Sequence, residues 1–149
     1  MKYRSFQEAL NYAIGREQDA EGFYHLLAKC ARQPATREML EELAVQEHQH
    51  QERLQALEPG DVAGKRVRQT EVDEAADRKA VAFDPEMDFV AALRLAIQRE
   101  EDSVRLYQML GQEAEDEAQQ KLFRLLVGQE QGHRTRLQDE LDSVVLRDY

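Results

Sequence analysis

The sequence predicts an all-α protein, a four-helix bundle assembled from two similar helix hairpins. Three observations lead to this prediction. Apolar residues recur every three or four positions along four stretches of the chain, which is the spacing of one helix face. The second half repeats the first at a constant offset of 83 residues, which carries Glu47 onto Glu130. The chain also contains only three Pro and seven Gly, and 34% of its residues are charged. This composition suits long amphipathic helices better than a sheet.

The first predicted hairpin spans residues 5–57. Its first helix begins at Ser5, which forms a capping box with Glu8, and continues to about Ala31. A turn around Gln33-Pro34 leads to a second helix, which we expect Thr36 to cap. A link this short makes the two helices antiparallel neighbours. The positions expected to face inward are Phe6, Leu10, Ala13, Glu17, Ala20, Tyr24, Leu27 and Ala31, then Leu40, Leu43, Glu47, His50, Leu54 and Leu57.

The second predicted hairpin spans residues 84–146 and follows a crossover, residues 58–83. The crossover has no sustained apolar stripe, although Thr70–Ala82 suits a short helix, and its length lets the third helix start at the far end of the bundle. The third helix opens with Asp84-Pro85, a capping residue followed by Pro at the first helical position, and the fourth begins at about Asp116. The whole chain of 149 residues is expected to form one domain. The inward positions are Phe89, Leu93, Ala96, Glu100, Ser103, Tyr107, Leu110 and Ala114, then Phe123, Leu126, Glu130, His133, Leu137, Leu141 and Val144.

Six of these inward positions carry side chains that bind metals. The second and fourth helices each have a Glu-x-x-His motif, and the first and third each have a single inward Glu. A Glu from each of two helices and a Glu-x-x-His from each of the other two enclose two metal ions in a bundle core. Without metal, four carboxylates at one level of a core would repel one another strongly. The expected ligands of a dinuclear centre are Glu17, Glu47, His50, Glu100, Glu130 and His133.

The donor set narrows the choice of metal. Carboxylates mixed with imidazoles suit iron or manganese better than the metals that prefer thiolates, and zinc is able to occupy such a site adventitiously. Two divalent cations also offset the charge of four carboxylates. Cys30 is the only cysteine, so the chain has neither an intrachain disulfide nor a Cys-x-x-Cys pair.

Charge and hydropathy exclude other classes of function. The formal net charge of −10 argues against binding to nucleic acid, which needs clustered Lys and Arg. No apolar run approaches the roughly 18 residues of a membrane-spanning helix, and the N-terminus lacks the apolar segment of a signal peptide. We therefore expect a cytoplasmic protein without nucleic-acid or membrane partners.

The six residues together resemble the ligand pattern of the ferritin-like di-iron proteins, above all rubrerythrins and bacterioferritins. The resemblance covers both hairpins and leaves out only the crossover. It implies that Glu47 and Glu130 bridge two iron ions, while the other Glu and the His of each hairpin complete the coordination of one ion. It also implies a homodimer, in which the long crossover allows helices to exchange between subunits.

Three departures from those families limit what the resemblance implies. Rubrerythrins usually carry another Glu one turn after the ligand of the third helix, where this chain has Ser103, which argues against their redox-linked ligand exchange. The chain lacks rubredoxin-type cysteines, so electrons are expected from another protein. His48 stands where bacterioferritins have a haem-ligating Met, which argues against haem, and the lack of a fifth helix argues against a storage cage.

These features predict a di-iron oxidoreductase that reacts with hydrogen peroxide or oxygen. Peroxide reduction is the leading hypothesis, and iron(II) oxidation follows it closely. Two alternatives remain open. One is a non-enzymatic protein for iron binding or storage, and the other is a substrate hydroxylase, because demethoxyubiquinone hydroxylases have a similar duplicated ligand pattern.

Two tyrosines are candidates for supporting the ligands. Tyr24 and Tyr107 each lie two helical turns after an inward Glu, on the same helix face. Their hydroxyls are expected to hydrogen-bond ligand carboxylates. The alternative is that each is a core aromatic residue whose hydroxyl has some other partner.

Other polar residues are expected to stay outside the site. His25 and His48 have no counterpart in the repeat, and we do not expect them to be ligands. Arg16 lies three residues before Asp19, and the repeat places Arg99 before Asp102 in the same way. These spacings predict solvated ion pairs on one helix rather than catalytic groups.

Overall fold

The computed structural model describes residues 5–57 and 88–148, which form four helices. In chain order these are α1 (Phe6–Cys30), α2 (Pro34–Gln55), α3 (Phe89–Glu113) and α4 (Glu117–Asp148). The predicted class, an all-α four-helix bundle, is therefore confirmed. None of the helices in the described ranges has a stretch that is both long and apolar enough to cross a membrane.

The ends of the first hairpin agree with the sequence except at the start of α2. Ser5 caps α1 as predicted, because its hydroxyl accepts a hydrogen bond from the Glu8 amide at 3.1 Å. The prediction that Thr36 caps α2 is wrong. The helix begins at Pro34, whose missing N–H is no loss at a first helical position. Thr36 instead lies in the first turn, and its hydroxyl donates to Glu140 on α4.

The second hairpin begins with α3, which starts at Phe89 after the capping position Asp88. The predicted start at Asp84-Pro85 and the predicted short helix over Thr70–Ala82 lie outside the described residues. The start of α4 agrees with the prediction, since the Asp116 carboxylate accepts a hydrogen bond from the Ala118 amide at 2.7 Å. This side chain therefore satisfies one amide that has no partner inside the helix.

The two hairpins pack through α1 against α3 and α2 against α4. Tyr24 bonds Glu100 while Tyr107 bonds Glu17, so α1 and α3 run antiparallel. Likewise α2 and α4 run antiparallel, because residues later in α2 bond residues earlier in α4. The end of α2 and the start of α3 consequently lie at opposite ends of the bundle, as predicted.

The bundle core consists of two apolar clusters with a polar layer between them. One cluster includes Leu27, Leu43, Leu93 and Leu141, and the other includes Leu10, Leu110, Phe123 and Leu126. Along every helix, the position between the two clusters is a Glu or a Glu-x-x-His motif. The helix-face pattern thus places these ligand-type residues at one level of the bundle. All positions predicted to face inward are buried except Phe6, Leu57 and Phe89, which are partly buried.

Candidate metal centre

The six residues predicted to bind metal lie together in the polar layer. Each helix contributes one or two of these residues from its inward face, so regular helix rather than a loop holds the side chains in place. None of the six is more than 2% exposed. A charged group at such depth is stable only when other groups pair with it or neutralise it.

Two overlapping groups of donor atoms make up the layer. In each group, one ligand atom from every residue lies within 4.8 Å of all the others. Glu47 and Glu130 belong to both groups, and each has its Oε1 atom 3.2–3.3 Å from the Nδ1 atoms of His50 and His133. Two carboxylates shared between two sets of donors suit a site that would hold two metal ions side by side. The groups are Glu17, Glu47, His50 and Glu130, and Glu47, Glu100, Glu130 and His133.

The unused atoms of the layer fit a metal pair. Each of the six residues has a buried nitrogen or oxygen without a hydrogen-bond partner in the described structure. They include both carboxylate oxygens of Glu130 and the Nδ1 atoms of both histidines. Buried polar atoms in proteins nearly always have partners, and the donor atoms of each group lie within 4.8 Å of one another, so each group fits a metal ion. Carboxylate oxygens and imidazole nitrogens are hard or borderline donors, which suits iron or manganese.

Two glutamines that sequence reasoning missed fix the orientation of the imidazoles. His50 Nε2 donates to Gln129 Oε1 at 2.6 Å, and His133 Nε2 donates to Gln46 Oε1 at 2.5 Å. With Nε2 carrying a proton, the Nδ1 lone pair of a neutral imidazole points into the layer. One signal was available, because Gln46 and Gln129 occupy equivalent places in the repeat, directly before the Glu of each motif.

Removing this support is expected to weaken metal binding. Gln46→Leu and Gln129→Leu keep the volume but remove the acceptor, so we expect metal affinity to fall about 10- to 100-fold. Competition with a chromophoric chelator measures the change. Gln49→Leu is the matched control for Gln46→Leu, since Gln49 is an exposed residue on the same helix, α2. An unchanged affinity in both variants would show that the glutamines do not orient the ligands.

Both tyrosines donate hydrogen bonds to carboxylates of the layer. Tyr24 donates to Glu100 Oε1 at 2.5 Å, and Tyr107 donates to Glu17 Oε1. Each tyrosine thus reaches the carboxylate of the other hairpin rather than the one on its own helix. Burial, together with the adjacent Glu100 or Glu17, raises the pKa of each hydroxyl well above its ordinary value. Both hydroxyls therefore remain donors that hold one carboxylate oxygen in place.

Proton affinities in the metal-free layer are strongly perturbed. Burial is the largest cause of the raised pKa of Glu17, Glu47 and Glu100, and neighbouring carboxylates raise it further, to about 7 for Glu100. For His50 and His133 burial lowers the pKa, but the surrounding carboxylates outweigh it. The net effect raises the pKa of both imidazoles, to about 12 for His133. Protons thus provide the positive charge where metal ions would otherwise do so.

Metal binding is therefore expected to release protons. Ligands must be deprotonated to coordinate a metal, and near neutral pH both imidazoles of the metal-free layer carry an extra proton. We expect at least two protons per metal pair, with the protonated fraction of Glu100 adding to them near pH 7, and an affinity that rises with pH. Calorimetric titration in buffers of different ionisation enthalpy gives the number. Binding without proton release would mean that neither histidine exchanges its proton for a metal ion.

The structure corrects the prediction for Arg16 and Arg99. Both are buried, at 8% and 6% exposure, rather than solvated. Arg16 Nη2 donates to the Arg99 carbonyl and to Ser103 Oγ, each at 3.1 Å. The two arginines meet because equivalent positions of the repeat face each other where α1 packs on α3. Ser103, where rubrerythrins usually have a further Glu, is thus hydrogen-bonded to α1.

The fold and the buried layer define a ferritin-like four-helix bundle with a carboxylate and histidine site of the di-metal type. The rubrerythrin family model matches residues 8–141. The chain therefore belongs to the rubrerythrin family. No curated protein matches the chain.

Two solved structures are similar to the chain. A hypothetical protein from Pyrococcus furiosus is 25% identical, with a TM-score of 0.75, and the match covers 97% of this chain and 93% of that one. KatB, a manganese catalase from Anabaena, is 18% identical, with a TM-score of 0.71, and the match covers 95% of this chain and 74% of that one. At this lower identity the second likeness shows a shared fold alone.

Proposed function

We propose that the chain is a di-iron protein that reduces hydrogen peroxide. The observation that carries the proposal is the pair of donor groups that share Glu47 and Glu130 and leave atoms of all six residues without partners. Membership of the rubrerythrin family supports iron as the metal. Iron(II) oxidation by oxygen is the closest alternative reaction of the same site.

When bound, a pair of iron(II) ions supplies two electrons and Lewis acidity. The chain provides the geometry. Gln46 and Gln129 keep the imidazole lone pairs directed inward, while Tyr24 and Tyr107 hold one oxygen of a carboxylate each. The apolar clusters on either side of the layer keep bulk water away, which favours small oxidants over larger substrates.

Electrons for repeated turnover are proposed to come from another protein. Cys30 is the only cysteine, so the sequence contains no cysteine cluster that would hold a second redox metal.

A homodimer is part of the same proposal. Analytical ultracentrifugation of the metal-loaded protein tests the dimer independently of the reaction.

The decisive experiment is an anaerobic iron(II) titration of metal-free protein, followed by rapid mixing with peroxide or with oxygen. We expect two iron ions in the buried layer and a ferric absorption that appears much faster with peroxide. Faster oxidation by oxygen would favour iron(II) oxidation as the reaction. Failure to bind a pair of ions would contradict the whole proposal.

The same samples separate the remaining alternatives. Full iron loading with negligible turnover would favour a binding or storage role. A manganese-loaded protein that evolves oxygen from peroxide without an electron donor would favour a catalase reaction, which is the activity of KatB. A hydroxylase needs an apolar substrate pocket, and the groove of about 720 Å³ beside Tyr107 is lined by Phe123 and Val127 together with four glutamines. Oxidation of an added apolar substrate by the iron-loaded protein would favour this alternative.

A further inference from the structure

A second cluster of metal-ligand side chains lies on the outer face of α1 and α2. Glu21 stands between two imidazoles, with Oε1 3.2 Å from His48 Nδ1 and Oε2 3.9 Å from His25 Nε2. The side chain of Glu21 is 28% exposed, and those of His25 and His48 are 46% and 54% exposed. Cations in solution therefore have direct access to all three.

Neighbouring side chains add charge and order to this outer cluster. Glu41 Oε2 lies 3.1 Å from His25 Nδ1, and Glu52 Oε1 lies 3.7 Å from His48 Nε2. Gln51 Nε2 donates to Glu21 Oε1 at 2.8 Å, and Gln51 is itself only 6% exposed. A buried amide that orients a carboxylate is the kind of support that metal ligands commonly have.

The repeat shows that the fold does not need these residues. At the equivalent positions of the second hairpin, Val104 replaces Glu21, Gln108 replaces His25 and Gln131 replaces His48. The buried ligands, by contrast, are the same in both halves. Exposed ion pairs stabilise a protein by only about 0–1 kcal/mol, so the outer cluster has little structural value. The needs of the fold therefore do not account for its presence in one half.

We propose that Glu21, His25 and His48 form a second site for a divalent transition-metal ion, separate from the buried centre. Two imidazoles and a carboxylate suit zinc, cobalt(II) or iron(II). The two carboxylate oxygens of Glu21 lie 3.2 and 3.9 Å from the two imidazoles, and the exposed side chains would rotate to bring all three donors around one ion. The sequence predicts that these histidines are not ligands, because they have no counterpart in the repeat. The sequence alone does not show that α1 and α2 bring them to one carboxylate.

The test is a zinc titration of the full-length protein followed by NMR of the imidazole side chains. The chain has four histidines, so the signals of His25 and His48 are separable from those of the buried pair. We expect the two exposed signals to shift together and to saturate with one zinc ion beyond those that the buried layer takes up. Independent responses at different zinc concentrations, or no response, would overturn the proposal.

Variants make the test sharper. His25→Gln and His48→Gln are substitutions that the fold accepts at the equivalent positions of the second hairpin. Each is expected to weaken the zinc response of the remaining exposed histidine by about tenfold or more. Glu38→Gln, which changes an exposed carboxylate on α2, is expected to leave it unchanged. Equal responses in all three variants would contradict a shared site, whatever the buried histidines do.

Discussion

Replacing Glu47 or Glu130 with Ala is expected to abolish binding of the metal pair. Each of these residues belongs to both donor groups, and each has an oxygen within 3.3 Å of both imidazole Nδ1 atoms. One substitution therefore removes a donor from both metal positions. We expect the affinity for metal to fall by more than about 100-fold, which exceeds the loss typical of removing a residue that only hydrogen-bonds a ligand. Anaerobic iron(II) titration with elemental analysis measures the number of ions retained in the buried layer.

Glu17→Ala provides the informative comparison. Glu17 belongs to only one donor group, so we expect this variant to lose one ion and to keep the other. Glu42→Ala is the control for substitution itself, because Glu42 is an exposed α2 residue whose partner is Arg136. If Glu47→Ala still binds two iron ions with an unchanged spectrum, the assignment of the bridging carboxylates is wrong.

Sequence periodicity and the repeat were enough to predict the bundle and the polar layer. Each helix buries one face, and a Glu or His within an otherwise apolar stripe is buried together with that face. The repeat then predicts that both hairpins present these residues at the same depth. For that reason the two apolar clusters and the layer between them follow from residues such as Leu10, Glu17 and Leu27.

Partnerships between hairpins could not be predicted in the same way. A pattern along one helix gives the face that is buried but not the stagger or rotation of the helix packed against it. Tyr107 therefore bonds Glu17 across the bundle, and Gln46 bonds His133 of the other hairpin. Arg16 was expected in solvent because its helix pattern does not reveal the carbonyl of Arg99 opposite it. Such contacts depend on three-dimensional packing.

Neutralising one ligand is expected to make the variant more stable than the wild type without metal and less stable than the wild type with metal. Burial and neighbouring carboxylates raise the pKa of Glu100 from 4.5 to about 7. As pH rises, Glu100 loses its proton at a lower pH in the unfolded chain than in the folded protein. The metal-free protein therefore loses stability as the pH rises from 4.5 to about 7. The shift corresponds to about 3 kcal/mol near neutral pH. Glu100→Gln removes that charge and should stabilise the metal-free protein by a similar amount.

The consequence is measurable by thermal unfolding above about pH 7, with and without metal. Without metal, Glu100→Gln should unfold roughly 6–12 °C above the wild type, at about 2–4 °C per kcal/mol. With metal at about 1,000 times its dissociation constant, each ion contributes about 4 kcal/mol, so the wild type with two ions gains about 8 kcal/mol. Glu100 belongs to only one donor group, so the variant is expected to lose one ion and about 4 kcal/mol of that gain. This loss exceeds its advantage of about 3 kcal/mol without metal, so the wild type becomes the more stable protein. Glu101→Gln, next to the ligand but partnered by Arg134, should not change the order.

A metal-free Glu100→Gln protein that is less stable than the wild type would contradict this account. It would mean that hydrogen bonds from Tyr24 and attraction to His133 already compensate the buried charge. The expected result instead places the metal ions among the stabilising elements of the fold. Four carboxylates between two apolar clusters oppose folding when only protons balance them, and two divalent cations reverse that effect. The same charges that make the metal-free layer costly would then give the layer its affinity for metal.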